Sequence, residues 1–262
     1  MERRRYALRL LYDGRQFRGF QRQPGLPTVQ EAVEAGLSRL GVKTMLEVAA
    51  RTDAGVSAVD QVVSFAARRA LEPTALRAAI NAAAPEGLIC LAAAEVKGDF
   101  HARASALGRR YVYLVSRTPP AELAPWCWTL PDGRAFPGHA CDAPLDLGAM
   151  RRALGYAVGE HDFTGFARPG DQRIMVRTVT GAQVLQAEPW PLTAVVLEGR
   201  GFLRAMVRNL VGTAVAVGLG LAPPELVRDL IQARGRYRGV RAPGWGLTLA
   251  AVIYPPGTLE WV

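Results

Sequence analysis

Short apolar runs and two segments of helical spacing organise the first hundred residues. YALRLLY, Tyr6 to Tyr12, reads as a strand, and the DGRQFRGFQRQPGLP that follows reads as an arginine-rich loop. A helix begins at a capping box, with Thr28 three residues before Glu31 and with Val29, Ala32, Val33 and Leu37 on one face. Gly41 ends it. MLEVAAR and QVVSFAA read as two strands flanking RTDAGVSAVD, Arg51 to Asp60, a connection of about ten residues and longer than most hairpin loops. A second helix runs from about Thr74 through LRAAINAAA to Pro85, and LICLAAAEV closes the half as a fourth strand. The order β-α-β-β-α-β is the split βαβ of ferredoxin-like folds.

The second half repeats this order. RRYVYLVSR is a strand, and an insertion at about 118–145 carries Pro, Trp and Cys. LGAMRRALGYAVG is a helix, and MVRTVTGAQVLQAE pairs with LTAVVLEGR. FLRAMVRNLVGTAVAVG is a long helix, PPELVRDLIQARG a shorter one, and LTLAAVIYP the closing strand. The repeat is architectural, without residue-by-residue self-similarity. The pattern predicts an α+β chain of two ferredoxin-like halves, 1–104 and 105–262. Their strands would form one extended, mainly antiparallel sheet with helices on one face.

Composition adds a partner. The 262 residues carry a net charge of +9, and only Lys43 and Lys97 are lysines, so the positive charge is almost all guanidinium. Arginine forks suit phosphates and stacked bases, which fits a polyanion such as nucleic acid. Cys90, Cys127 and Cys141 are odd in number and far apart, which implies no disulfide framework and a reducing cytoplasm. The longest apolar run, from Leu210, stops at Pro223 and is too short to span a bilayer, so no membrane partner is expected.

Most catalytic signatures are missing. His139 and Cys141 lie near Cys127, but their spacing matches no common zinc pattern. No Walker A, complete GxGxxG or GxSxG motif occurs, which argues against a nucleotide cofactor and against an elbow serine. RGFLRAMV at Arg200 begins like an RNP1 octamer and then departs from it. What remains is basic and aromatic residues around one acid. Arg15, Arg18 and Arg22 interleave with Phe17 and Phe20, which suits an RNA-binding loop and equally suits a solvated loop with two rings in the core. Asp53, in turn, suits either a simple turn closed by Gly55 or a catalytic loop.

Five ordered blocks extend over almost the whole chain: YDGRQFRGFQRQ, TVQEAVE, RTDAGV, FHARASALGRRYVYLV and MVRNLVGT. Together they resemble the tRNA pseudouridine synthase A family. The resemblance implies isomerisation of uridine to pseudouridine in the anticodon arm of tRNA, at tRNA positions 38 to 40. It implies no metal or organic cofactor, and a homodimer that presents one tRNA surface. By position it makes Asp53 the catalytic aspartate, Arg51 the arginine that helps displace the target base, Tyr111 the ring that packs on uracil, and Arg208 the partner of the aspartate. Four positions depart from the family pattern: Ala50 replaces a usual glycine, Ser57 a histidine, Asp60 a small or polar residue, and Trp245 a glutamate.

Two other functions compete. A non-catalytic RNA-binding protein would account for charge and rings but not for an acid among arginines beside an anionic ligand. A nucleoside or glycoside hydrolase normally needs two carboxylates, and one good candidate is present.

Overall fold

The computed structural model describes residues 3–138, 144–167, 174–233 and 239–262. The chain folds as two compact units, Met1–Arg109 with Thr248–Val262, and Arg110–Leu247. The fold is α+β, and the strands belong to one mainly antiparallel sheet.

The first unit begins with β1 (Arg4–Tyr12), α1 (Val29–Arg39), β2 (Glu47–Val48), β3 (Ser57–Ala67), α2 (Pro73–Ala83) and β4 (Leu88–Val96). β1 lies between β4 and β3 and is antiparallel to both. Alternation along the strands makes one face of this sheet apolar: Tyr6, Leu8 and Leu10 of β1 are fully buried, with Val63 and Phe65 opposite Leu8 and Tyr6. The helices contribute Val29, Val33 and Leu37 of α1 and Leu76 and Ile80 of α2 to the core. They cross closely at Gly36, where a Cβ would stand 2.7 Å from the Ile80 Cα. At the start of α1 the Thr28 hydroxyl accepts from the Glu31 N–H at 3.4 Å, as the capping box predicts.

The second unit runs through β5 (Gly108–Ser116), β6 (Trp128–Thr129), α3 (Leu147–Gly155), β7 (Gly159–Asp162), β8 (Val176–Gln186), β9 (Leu192–Gly199), α4 (Met206–Gly218) and α5 (Leu226–Ala233). Its strands are ordered β5-β9-β8-β7, with β6 beside β5. α4 is the central helix, buried along most of its length. Its Asn209 is fully buried and donates from Nδ2 to the Phe166 carbonyl at 2.7 Å. The last strand, β10 (Leu247–Ile253), returns to the first unit and pairs with β3 in parallel, Thr248 opposite Ser57.

The structure corrects the sequence reading in local detail. The strand expected from MLEVAAR shrinks to Glu47–Val48, because the main-chain groups of Ala49 and Ala50 bond largely to side chains. The following strand begins at Ser57 rather than Gln61, so the connection ends sooner than periodicity suggested. The long helix starts at Met206, four residues late: Ala205 takes a left-handed conformation (φ 62°) and turns the chain first. β6 and β7 are too short to leave a periodic signal. No helix of the described residues is long and apolar enough to cross a membrane.

Candidate active site

Asp53 sits in the connection between β2 and β3, on a tight main-chain turn. The Val56 N–H donates to the Asp53 carbonyl at 3.1 Å, and Gly55 adopts φ 80° inside the turn. The turn leaves Asp53 half-buried and Arg51 exposed, while Thr52 between them points inward at 7% exposure. Opposite orientation of neighbouring side chains thus sends Arg51 and Asp53 outward and makes Thr52 the anchor. The Thr52 hydroxyl meets the Tyr12 hydroxyl at 2.8 Å, and the Thr52 carbonyl accepts from the Phe20 N–H at 3.1 Å.

The arginine-rich loop lies directly on this turn. Gly19, at φ 99°, approaches so closely that a Cβ would stand 3.0 Å from the Thr52 carbonyl oxygen. Phe17 and Phe20 are core residues, 4% and 2% exposed, and the Phe17 ring meets Tyr12 edge-on. These rings fasten the loop and offer no stacking face. The arginines stand outside: Arg15 forks onto the Asp13 carboxylate, with Nη2 to Oδ2 at 2.6 Å, and Arg22 pairs with Glu34. Arg18 is exposed, held through its main chain by the Pro27 carbonyl.

Two buried polar side chains that the sequence reading passed over grip the start of the turn. Gln61 bonds to both main-chain groups of Ala50, and Arg109 places Nη2 2.9 Å from the Ala49 carbonyl and 2.7 Å from that of Arg103. Parity held the signal for Gln61. It falls on the same strand face as Val63 and Phe65, where a polar residue must find partners or cost stability.

Two of the four departures from the family pattern have structural duties. Ser57 is buried, and its hydroxyl accepts from the Gly14 N–H at 3.0 Å. Asp60 accepts from Arg9 Nε at 2.7 Å and from the Val252 N–H at 3.1 Å, fastening β10 to β3.

Tyr111 and Arg208 belong to the second unit. Tyr111 lies on β5, 8% exposed, with the Phe202 ring edge-on at 5.4 Å. Arg208, in the first turn of α4, is half-buried and donates from Nε to the Ala242 carbonyl at 2.8 Å. The Ala242 N–H returns a bond to the Arg208 carbonyl, tying this turn to the segment before β10. The Tyr113 hydroxyl donates to the Pro243 carbonyl of the same segment at 2.9 Å. Trp245 is 44% exposed.

Among the described residues no group of three or more His, Cys, Asp or Glu side chains could hold a metal ion. Cys90 and Cys127 are buried thiols, whereas His139 and Cys141 lie outside the described residues. A half-buried carboxylate on a turn fixed from below can serve as a nucleophile or as a proton acceptor, and the arginines around it suit an anionic substrate.

Comparison with known proteins identifies the family. A family model described as tRNA pseudouridine synthase matches residues 153–255. The tRNA pseudouridine synthase A of Neisseria gonorrhoeae is 40% identical over 275 aligned residues, covering 100% of this chain and 98% of the relative. That of Syntrophotalea carbinolica is 39% identical with 94% of each chain covered, and that of Cereibacter sphaeroides 39% identical with 96% of each. A solved Cbf5-Nop10-Gar1 complex matches 80% of this chain and 45% of its own at 18% identity and a TM-score of 0.34, a likeness too weak to argue from. With relatives this similar along its whole length, the chain belongs to the tRNA pseudouridine synthase A family.

Proposed function

We propose that this chain isomerises uridine to pseudouridine in the anticodon stem-loop of tRNA, at positions 38 to 40, with Asp53 as the catalytic carboxylate. The observation that carries the reading is the turn itself: a long connection whose buried residues are bonded into the fold while Asp53 and Arg51 are turned outward.

The isomerisation breaks the C1′–N1 glycosidic bond, rotates the uracil and forms a C1′–C5 bond. The hydrogen on C5 leaves as a proton and N1 gains one, so no electrons or atoms are exchanged with a cofactor. A carboxylate can divide this path into easier steps as a nucleophile, or take the C5 proton after cleavage. By the family resemblance Arg208 is assigned as the partner of Asp53. Tyr111 is assigned to stack on the displaced uracil, offsetting an unpairing cost of about a few kcal/mol. Arg51 is assigned to the space the base leaves. Arg15, Arg18 and Arg22 are assigned to phosphates. The net charge of +9 supports tRNA as the partner. The enzyme is read as a cytoplasmic homodimer, in line with the family.

The test is to incubate the protein with an unmodified tRNA transcript, digest it to nucleosides and separate them by chromatography and mass. A product of unchanged mass and shifted retention is expected. Free uracil would instead identify a hydrolase, and unchanged uridine with tight binding would identify an RNA-binding protein.

A further inference from the structure

The turn that carries Asp53 is held from below by side chains, and the central one is a fully buried amide. Gln61 on β3 is 0% exposed. Its Nε2 donates to the Ala50 carbonyl at 2.7 Å and to the Tyr12 hydroxyl oxygen at 3.1 Å, while its Oε1 accepts from the Ala50 N–H at 3.2 Å. The Tyr12 hydroxyl in turn meets Thr52 Oγ1 at 2.8 Å. The network therefore reaches the chain on both sides of Arg51 and stops at the residue before Asp53. We propose that Gln61 and Tyr12 are positioning residues that hold Asp53 in its reacting orientation, a reading that rests on Asp53 being the catalytic carboxylate.

The chemistry of the grip supports this role. A single hydrogen bond leaves a peptide plane free to rotate, whereas a donor and an acceptor from one amide fix the position and tilt of Ala50 together. Val63 and Phe65 show that the same strand face accepts ordinary apolar residues. An amide there is expensive to bury unless its bonds are made, and all of those identified for it go to the turn or to the hydroxyl that holds the turn. Burial pushes the Tyr12 hydroxyl up to about 12, so it stays neutral and keeps its proton across the working pH range. Reaction geometry is sensitive to such support, because a misplacement of about 1 Å can cost about a hundredfold in rate.

A second residue makes the same grip elsewhere and supplies the control. Asn81 donates from Nδ2 to the Cys90 carbonyl at 3.0 Å and accepts from the Cys90 N–H at 2.7 Å, linking α2 to β4 away from the turn. The experiment compares Gln61→Met, Tyr12→Phe and Asn81→Leu by single-turnover rate on tRNA with enzyme in excess, by tRNA Kd from filter binding and by denaturation midpoint. Gln61→Met is expected to lose about 10- to 100-fold in rate and Tyr12→Phe about 3- to 10-fold, with Kd within about twofold in each case. Asn81→Leu is expected to lower the midpoint while keeping the rate. If Gln61→Met does not fold, Tyr12→Phe decides the matter, since it keeps the ring and removes only the hydroxyl. Wild-type rates in the folded variants, with midpoints lowered as in Asn81→Leu, would make the network merely structural and overturn the proposal. Asp53→Asn in the same assay separates the two readings. Its retained activity would remove the assignment of Asp53, whereas an inactive Asp53→Asn beside a Gln61→Met of normal rate would remove positioning alone.

Discussion

Arg109 sets its guanidinium against the carbonyl of Ala49, with Nη2 at 2.9 Å and Nε at 3.2 Å, although the residue is only 6% exposed. Its Nη2 also reaches the carbonyl of Arg103, so one side chain ties the entrance of the Asp53 turn to the 101–105 loop. A planar fork makes these bonds together, and an ammonium cannot. Arg109→Lys should therefore cost about 1–3 kcal/mol of stability. Urea denaturation checks this, and an unchanged midpoint would mean that the two loops are held by other contacts.

Gly14 and Gly19 set how close the arginine-rich loop can come to the turn. A Cβ on Gly14 would fall 2.1 Å from the Val56 carbonyl carbon, and one on Gly19 3.0 Å from the Thr52 oxygen at an unfavourable φ of 99°. Gly14→Ala should be the more damaging, and Gly19→Ala should cost about 1–2 kcal/mol. Gly98→Ala, with nothing within 4 Å, is the neutral reference. Ranking the three denaturation midpoints tests the close approach, and equal midpoints would contradict it.

Much of this architecture was legible in the sequence. The strands LICLAAAEV and RRYVYLVSR and the helix opened by Thr28 and Glu31 carry strong periodic or capping signals, and they appear nearly as read. The extent of β2 was not legible, because it depends on Gln61 and Arg109 capturing main-chain groups across long sequence separations. The return of β10 to the first unit is likewise a matter of tertiary pairing. At the site, the reading of Asp53 as the catalytic carboxylate came only with the resemblance carried by RTDAG and the other blocks, and parity alone marked Gln61 as a polar residue on a buried strand face. The loop rings illustrate the opposite problem: Phe17 and Phe20 suited either core or RNA, and burial assigns them to the core.

Stability should fall in alkali. Burial pushes the Cys90 thiol up to about 12 and the Cys127 thiol to about 11, from 9.0, and the Tyr12 hydroxyl to about 12, from 10.0. A group whose folded pKa is raised gives stability that is complete below its unfolded pKa and lost as pH climbs towards the folded one. The window thus opens near pH 9 for the thiols and near 10 for Tyr12. Each group contributes a slope of up to about 1.4 kcal/mol per pH unit. Denaturation midpoints between pH 8 and 10.5 should decline, and the Cys90→Ala, Cys127→Ala double variant should decline less steeply. A flat wild-type profile would show that the thiols ionise in the folded state at ordinary pH.

Binding of tRNA should weaken steeply with salt, and the arginine-rich loop should carry part of the slope. Arg15 and Arg22 already have Asp13 and Glu34 beside them, so Arg18 should contribute most of the loop's phosphate attraction. Arg18→Ala should reduce the log–log slope by about 0.7–0.9, and adding Arg15→Ala and Arg22→Ala should reduce it further, by a smaller amount per residue. An unchanged slope in the triple variant would show that this loop faces away from the RNA.

The most direct measurement is the single-turnover rate of Asp53→Asn on an unmodified tRNA transcript, with tRNA affinity determined in parallel. The substitution keeps size and removes the ionisable oxygen, so pseudouridine formation should vanish. Affinity should hold or rise slightly, because one negative charge beside phosphates is lost. Formation of pseudouridine by Asp53→Asn at more than a trace of the wild-type rate would contradict the assignment of Asp53 as the catalytic carboxylate.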